Sequence, residues 1–243
     1  MRKRKYLIGA LMGVIGSVVL TGTASAAVTG QTVSSILNPA KAPKKTFVAV
    51  KSMKTTVDTT YTGPFTPNAN QTIVSFSKDV KFTPGNIAQC NLSTISTVPE
   101  AAAEATCGAS RVGSGSATIN GGALTGKVAA YNGLPSGGSP TIGLHTDIFT
   151  ASGAYVFSTT LTGVLNTGQN TLTVSIPPTG TSITHFETTI NKKKSGKKSF
   201  YVMARCKKKK WATSETTAFT GGPTLSASSS QKCKQTKEPK KKK

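Results

Sequence analysis

Alternation of apolar and polar residues dominates the pattern along this chain. Phe200, Val202, Ala204 and Cys206 fall on one face of an extended segment, leaving Tyr201, Met203 and Arg205 on the other. Leu172, Val174 and Ile176 do the same until Pro177-Pro178 ends the run. Gly or Pro punctuates the sequence every eight to twelve residues, the rhythm of sandwiches and barrels. The pattern predicts strands at 47–57, 71–76, 111–119, 123–131, 141–149, 154–165, 171–176, 182–190, 199–206, 211–219 and 224–229. One short helix is predicted near 99–106, where Pro99 and Glu100 open an alanine-rich run that Cys107-Gly108 closes.

Composition sharpens the fold class. The chain past residue 26 is rich in Thr, Ser, Gly and Val and poor in helix formers. It therefore reads as all-β, a single antiparallel β-sandwich of immunoglobulin-like or jelly-roll-like type. An extended leader is expected over 27–45, the sandwich over 46–233, and a disordered Lys-rich tail over 234–243.

The N-terminus indicates a compartment. A basic start, an apolar run of about fifteen residues and Ala24-Ser25-Ala26 read as a secretory signal peptide over residues 1–26. The run is short of the ~20 residues that span a bilayer, so no transmembrane segment is expected after cleavage. The predicted location is secreted or extracellular, with association to the cell wall. Cys90, Cys107, Cys206 and Cys233 form an even set suited to that oxidising space. Three pairings are open. Cys90 with Cys107 and Cys206 with Cys233 are favoured, because each pair brackets a local, turn-rich excursion.

A resemblance adds weight to this picture. The runs Cys107-Gly-Ala-Ser-Arg-Val-Gly-Ser-Gly-Ser-Ala-Thr, Gly126-Lys-Val-Ala-Ala-Tyr-Asn-Gly, Leu172-Thr-Val-Ser-Ile-Pro and Tyr201-Val-Met-Ala-Arg-Cys, followed by Trp211, resemble a group of uncharacterised secreted proteins of actinobacteria. Those proteins have a β-rich body and a cysteine-bearing, Lys-rich end. The resemblance implies secretion and a β fold, and it carries no activity with it.

Charge changes the picture most. Of the net +22, the last 53 residues carry +15, whereas residues 46–190 balance six basic residues against six acidic ones. The candidate polyanion-binding residues are Lys192, Lys193, Lys194, Lys197, Lys198, Lys207, Lys208, Lys209 and Lys210, with Glu215 and Glu238 as the acidic relief nearby. Ser195-Gly196 suits a hairpin turn with lysines on both arms. The partner expected is an anionic cell-envelope polymer or acidic polysaccharide. Nucleic acid suits the clusters poorly, because they lack Arg and stacking aromatics.

Catalytic chemistry is thinly represented. His145-x-Asp147 and His185-x-Glu187 each place a His and a carboxylate on one side of a predicted strand, but such pairs also occur as ordinary strand-face contacts. No metal site or cofactor is expected, since no cysteines have C-x2-C spacing and neither His lies near one. Arg111-Val-Gly-Ser-Gly lacks the following Lys and helix of a phosphate loop, so its glycines are expected to allow close approach of another element. The reading is a non-enzymatic structural or adhesive module. A specific extracellular binder of a carbohydrate or protein is the alternative, and a hydrolase is the third.

Overall fold

The computed structural model describes residues 27–62, 68–177, 182–195 and 199–239. Its strands are β1 (Ala27–Asn38), β2 (Lys41–Pro43), β3 (Val48–Ala49), β4 (Ser52–Thr62), β5 (Ala69–Phe76), β6 (Val80–Phe82), β7 (Arg111–Ile119), β8 (Leu124–Ser136) and β9 (Ser139–Thr150). There follow β10 (Tyr155–Asn166), β11 (Thr171–Ser175), β12 (Ile183–Asn191), β13 (Lys194–Ser195), β14 (Ser199–Phe200), β15 (Val202–Ala204), β16 (Lys210–Phe219), β17 (Thr224–Lys232) and β18 (Lys234–Thr236). The one α-helix among the described residues, α1 (Glu100–Cys107), lies between β6 and β7, as predicted. Residues 1–26, where a signal peptide is expected, Lys197, Lys198 and residues 240–243 lie outside the described residues.

The all-β expectation holds. Eleven strands form one antiparallel sheet in the order β1-β4-β12-β7-β8-β9-β10-β11-β5-β16-β17. The facing walls of the expected sandwich are parts of this single sheet, curled until its end strands lie side by side in a nearly closed barrel. Side chains close the seam. The Gln231 amide on β17 acts as a peptide group would, with Oε1 accepting from Leu37 N at 2.7 Å and Nε2 donating to Leu37 O at 3.0 Å. Farther along, Gln31 Nε2 on β1 donates to Thr217 Oγ1 on β16 at 2.8 Å. An edge satisfied in this way no longer offers a bare row of N–H and C=O groups.

Side-chain alternation separates inside from outside. On β16, Trp211, Thr213, Glu215, Thr217 and Phe219 are buried, while Lys210, Ala212, Ser214 and Thr216 are exposed. The outer faces of β16 and β17 are polar, unlike the apolar outer band of a lipid-facing barrel. Among the described residues no helix is long and apolar enough to cross a membrane.

Two additions thicken the barrel. A second small core, with Ile95, Ala103 and the Cys90–Cys107 disulfide, packs α1 against the outer face of β8 at Ala129 and Tyr131. This cover is why β9 is buried on both faces from Thr141 to Ile148. One rim of the barrel is plugged by a three-stranded sheet, β3-β15-β6. Phe76, Phe82 and Tyr201 pack edge to face beneath it, with centroids 5.1 and 6.5 Å apart in sequence.

Three expectations need correction. Residues 27–38 are a wall strand rather than part of a leader; inward-facing Gln31 and Ser35 break the hydrophobic alternation that would have revealed it, though Val33 and Leu37 are buried. Residues 234–236 are not disordered, because Cys233, bonded to Cys206, delivers them to β2, with which β18 pairs in parallel. The single strand expected over 199–206 breaks at Tyr201, whose ring turns into the plug and is 1 % exposed, leaving Val202, Ala204 and Cys206 buried as foreseen.

Candidate functional site

Both disulfides favoured from spacing form: Cys90–Cys107 and Cys206–Cys233, with Cα atoms 5.5 and 6.0 Å apart. Together with strand direction they bring the basic clusters to one place. Lys192 and Lys193 follow the end of β12, β13 pairs with β14 as the expected hairpin, and Lys207–Lys210 lead into β16. All lie at the plugged rim, on either side of β15. Lys232 pairs with Lys210 across β16 and β17, and Lys41 pairs with Lys234 across β2 and β18, so the third lysine-rich stretch, from Lys232 onward, starts at this rim and Lys41 joins it. The described residues that follow or precede strand ends at the opposite rim, Asn68, 120–123, 151–154, 176–177, Ser182 and 220–223, include no Asp, Glu, Lys or Arg, and the sequence has none at 63–67 or 178–181.

The eight acidic residues do little to offset this belt. Asp79 accepts from Arg205 Nε at 2.9 Å and Lys207 N at 3.2 Å. Arg111 is clamped by Glu100 and Glu104 at 2.8 and 2.9 Å, and Lys54 pairs with Glu187 at 2.6 Å. Asp58 meets His185 Nδ1 at 2.6 Å, while Asp147 accepts from the first N–H of α1, that of Glu100, at 3.0 and 3.1 Å. Glu238 accepts from Lys45 N and Thr46 N. Glu215 faces the lumen. Of the two expected sources of acidic relief, Glu215 is turned inward and Glu238 is held by main-chain N–H groups, and Lys207 to Lys210 form no ion pair among the described residues.

The histidine pairs are parts of the wall. His185 turns to Asp58 rather than to Glu187. His145 is fully buried beneath the helical cover, with Nδ1 2.9 Å from Thr160 Oγ1 and Nε2 3.4 Å from Asp147 Oδ1. Ser158 Oγ donates to Asp147 at 2.6 Å, so the serine sits on the carboxylate and not on the imidazole, unlike a nucleophile and its base. Burial holds the His145 pKa below its ordinary 6.5 despite Asp147. Among the described residues no three His, Cys, Asp or Glu side chains gather as a metal site would require. Gly113 and Gly115 belong to β7, where they allow close approach to β12 as expected.

A feature that sequence reading missed is the lumen. A cavity of about 120 Å³ runs inside the sheet between apolar walls that include Leu144, Leu161, Leu165, Leu172, Val174 and Phe186. Four buried polar atoms on its lining have no hydrogen-bond partner: Gln31 Oε1, Thr188 Oγ1, Tyr201 OH and Glu215 Oε2. Glu215 is 1 % exposed, and its other oxygen accepts from Thr217 at 3.1 Å. The signal was present in the sequence, since alternation puts Glu215 on the same strand face as Trp211 and Phe219.

Burial pushes the Glu215 pKa up to about 7 from 4.5, against the smaller opposing pull of the Thr217 hydrogen bond. The folded chain therefore holds a proton that the unfolded chain releases. Stability from this group is complete below pH 4.5 and is lost as pH rises through 7, a decline of up to about 3 kcal/mol. His145 acts with the opposite sign, losing stability as pH falls below 6.5. Glu215→Gln should flatten the decline between pH 5 and 8 in urea unfolding; the same slope in wild type and variant would refute the assignment.

Comparison with known protein families, characterised proteins and solved structures finds no match to this chain.

Proposed function

We propose that this chain is an exported, non-enzymatic β-barrel protein that associates through its plugged, lysine-rich rim with an anionic cell-envelope polymer or acidic polysaccharide. The observation that carries the reading is the placement of charge: the lysines crowd one rim, the two acidic groups placed there, Asp79 and Glu238, are taken up by Arg205 and by main-chain N–H groups, and the connecting segments of the other rim have no Asp, Glu, Lys or Arg in their sequence. The two disulfides and the basic-apolar-small pattern of residues 1–26 support export. Lys210 and Lys232, directly opposite each other on β16 and β17, lie within the ~8 Å Debye length and act together.

Binding to immobilised alginate and to long-chain polyphosphate tests this. The full chain should bind at low salt and be released by ~1 M salt, where screening shortens the Debye length to ~3 Å. Replacing Lys207, Lys208, Lys209 and Lys210 by Ser should weaken binding on the order of tenfold or more. Binding that persists at ~1 M salt, an undiminished affinity after the four lysine replacements, or no binding to either polymer at low salt would overturn the proposal.

A further inference from the structure

We propose that the barrel lumen binds a small primary amine on an apolar body, with its ammonium group held between Glu215 and Gln31. Size comes first. A cavity of about 120 Å³ is comparable with the ~150 Å³ engineered voids that take up benzene, so a ligand of about six to eight heavy atoms suits it. Its mainly aliphatic and aromatic walls make contact with a hydrocarbon body favourable, with Thr188 Oγ1 and Tyr201 OH as the other unpartnered polar atoms on the lining.

The polar end is more specific. Thr217 Oγ1 accepts from Gln31 Nε2 at 2.8 Å and lies 3.1 Å from Glu215 Oε1, and Thr72 Oγ1 stands 2.9 Å from it. This hydroxyl fixes both side chains by one atom each, leaving Gln31 Oε1 and Glu215 Oε2 on the cavity surface without partners. Both are acceptors. An ammonium group has three N–H donors, enough to engage both oxygens at once, and its charge would neutralise the one carboxylate on the cavity lining. An alcohol has one donor and leaves an acceptor unpaired, and a plain hydrocarbon leaves both unpaired. Natural interiors satisfy almost all buried polar atoms, so several unpartnered ones on a single cavity indicate a missing partner rather than ordinary packing.

No proton need leave the ligand, because hexylammonium meets ionised Glu215 directly. Its affinity must then follow the carboxylate, whose pKa of about 7 makes the ionised fraction fall about fivefold between pH 7 and pH 6. The test is calorimetric titration of the disulfide-intact full chain with n-hexylamine, 1-hexanol and benzene at several pH values. Hexylamine should bind more tightly than 1-hexanol at pH 8 and weaken about fivefold from pH 7 to pH 6, while 1-hexanol changes little. Glu215→Gln should weaken hexylamine at least about tenfold and spare benzene. The proposal is overturned if the folded wild type binds no hexylamine, if its affinity does not vary with pH, or if Glu215→Gln binds it as well as wild type. The pH profile of the wild type decides the matter even if the variant fails to fold. Binding at the lumen and binding at the basic rim are separable, because the alginate assay does not involve Glu215.

Discussion

Gly115→Val is expected to destabilise the barrel by about 4 kcal/mol, enough to leave much of the expressed chain unfolded. Gly115 lies in β7 between Thr188 of β12 and Val128 of β8. A Cβ at this position would run into the main-chain carbonyl of Glu187, and one at Gly113 into that of Thr189. Neither carbonyl can move aside at low cost, because β12 is laddered to β4 on its far side from His185 to Asn191. A side chain here must therefore break β7 from β12 or distort three strands together, next to the lumen-facing Thr188. Gly85→Ala is the control: a Cβ there meets nothing within 4 Å, and its effect should stay within about 0.5 kcal/mol. Urea unfolding of both variants measures the contrast. Equal stability of Gly115→Val and wild type would show that the strands are not held at this spacing.

Much of this architecture was legible, and the parts that were not share a cause. The run 171–176 announces itself because Leu172, Val174 and Ile176 point to one side and Pro177-Pro178 closes it. The helix was legible from Pro99 and the alanines behind it, and the disulfides from the shortness of the loops they close. β1 was hidden because its inner face includes Gln31 and Ser35, one bonded to Thr217 and the other to Thr55. Such positions look like surface until the partner strand is known, and that strand is distant in sequence.

The same limit governed the candidate site. The lysine clusters could be counted, but their meeting at one rim depends on strand direction around an eleven-stranded sheet, which no local pattern encodes. Glu215 was legible as a strand residue and was misplaced as a counter-charge to the lysines. Its neighbours Trp211 and Phe219 mark its face as buried, yet whether that face meets packed core or a cavity is a property of the closed barrel. His145 and Asp147 were legible as a pair, whereas the function of Asp147 as acceptor for the first N–H of α1 required the helix to be laid over β9.

Replacing Cys206 and Cys233 together by Ala should cost about 3 to 4 kcal/mol, the second large effect. The bond closes a loop with a sequence separation of 27, for which chain-entropy arguments give roughly 3.5 kcal/mol. Both sulfurs lie in the main core beside Trp211, which is 1 % exposed and donates from Nε1 to Arg205 O at 2.7 Å. The substitution therefore loosens the plug as well as the chain. Loss of Cys90–Cys107, by contrast, acts on the small outer core, so the barrel should keep its near-ultraviolet signal from Trp211 while α1 becomes susceptible to proteolysis. The consequence for the basic rim follows from geometry. Lys207 comes immediately after Cys206 and β18 immediately after Cys233, so the bond fixes the two lysine-bearing segments relative to each other. Without it the net charge is unchanged but the patch is no longer held together, and retention on alginate at intermediate salt should fall even at temperatures where the variant stays folded. Unchanged retention would mean that total charge, and not its arrangement at one rim, determines binding.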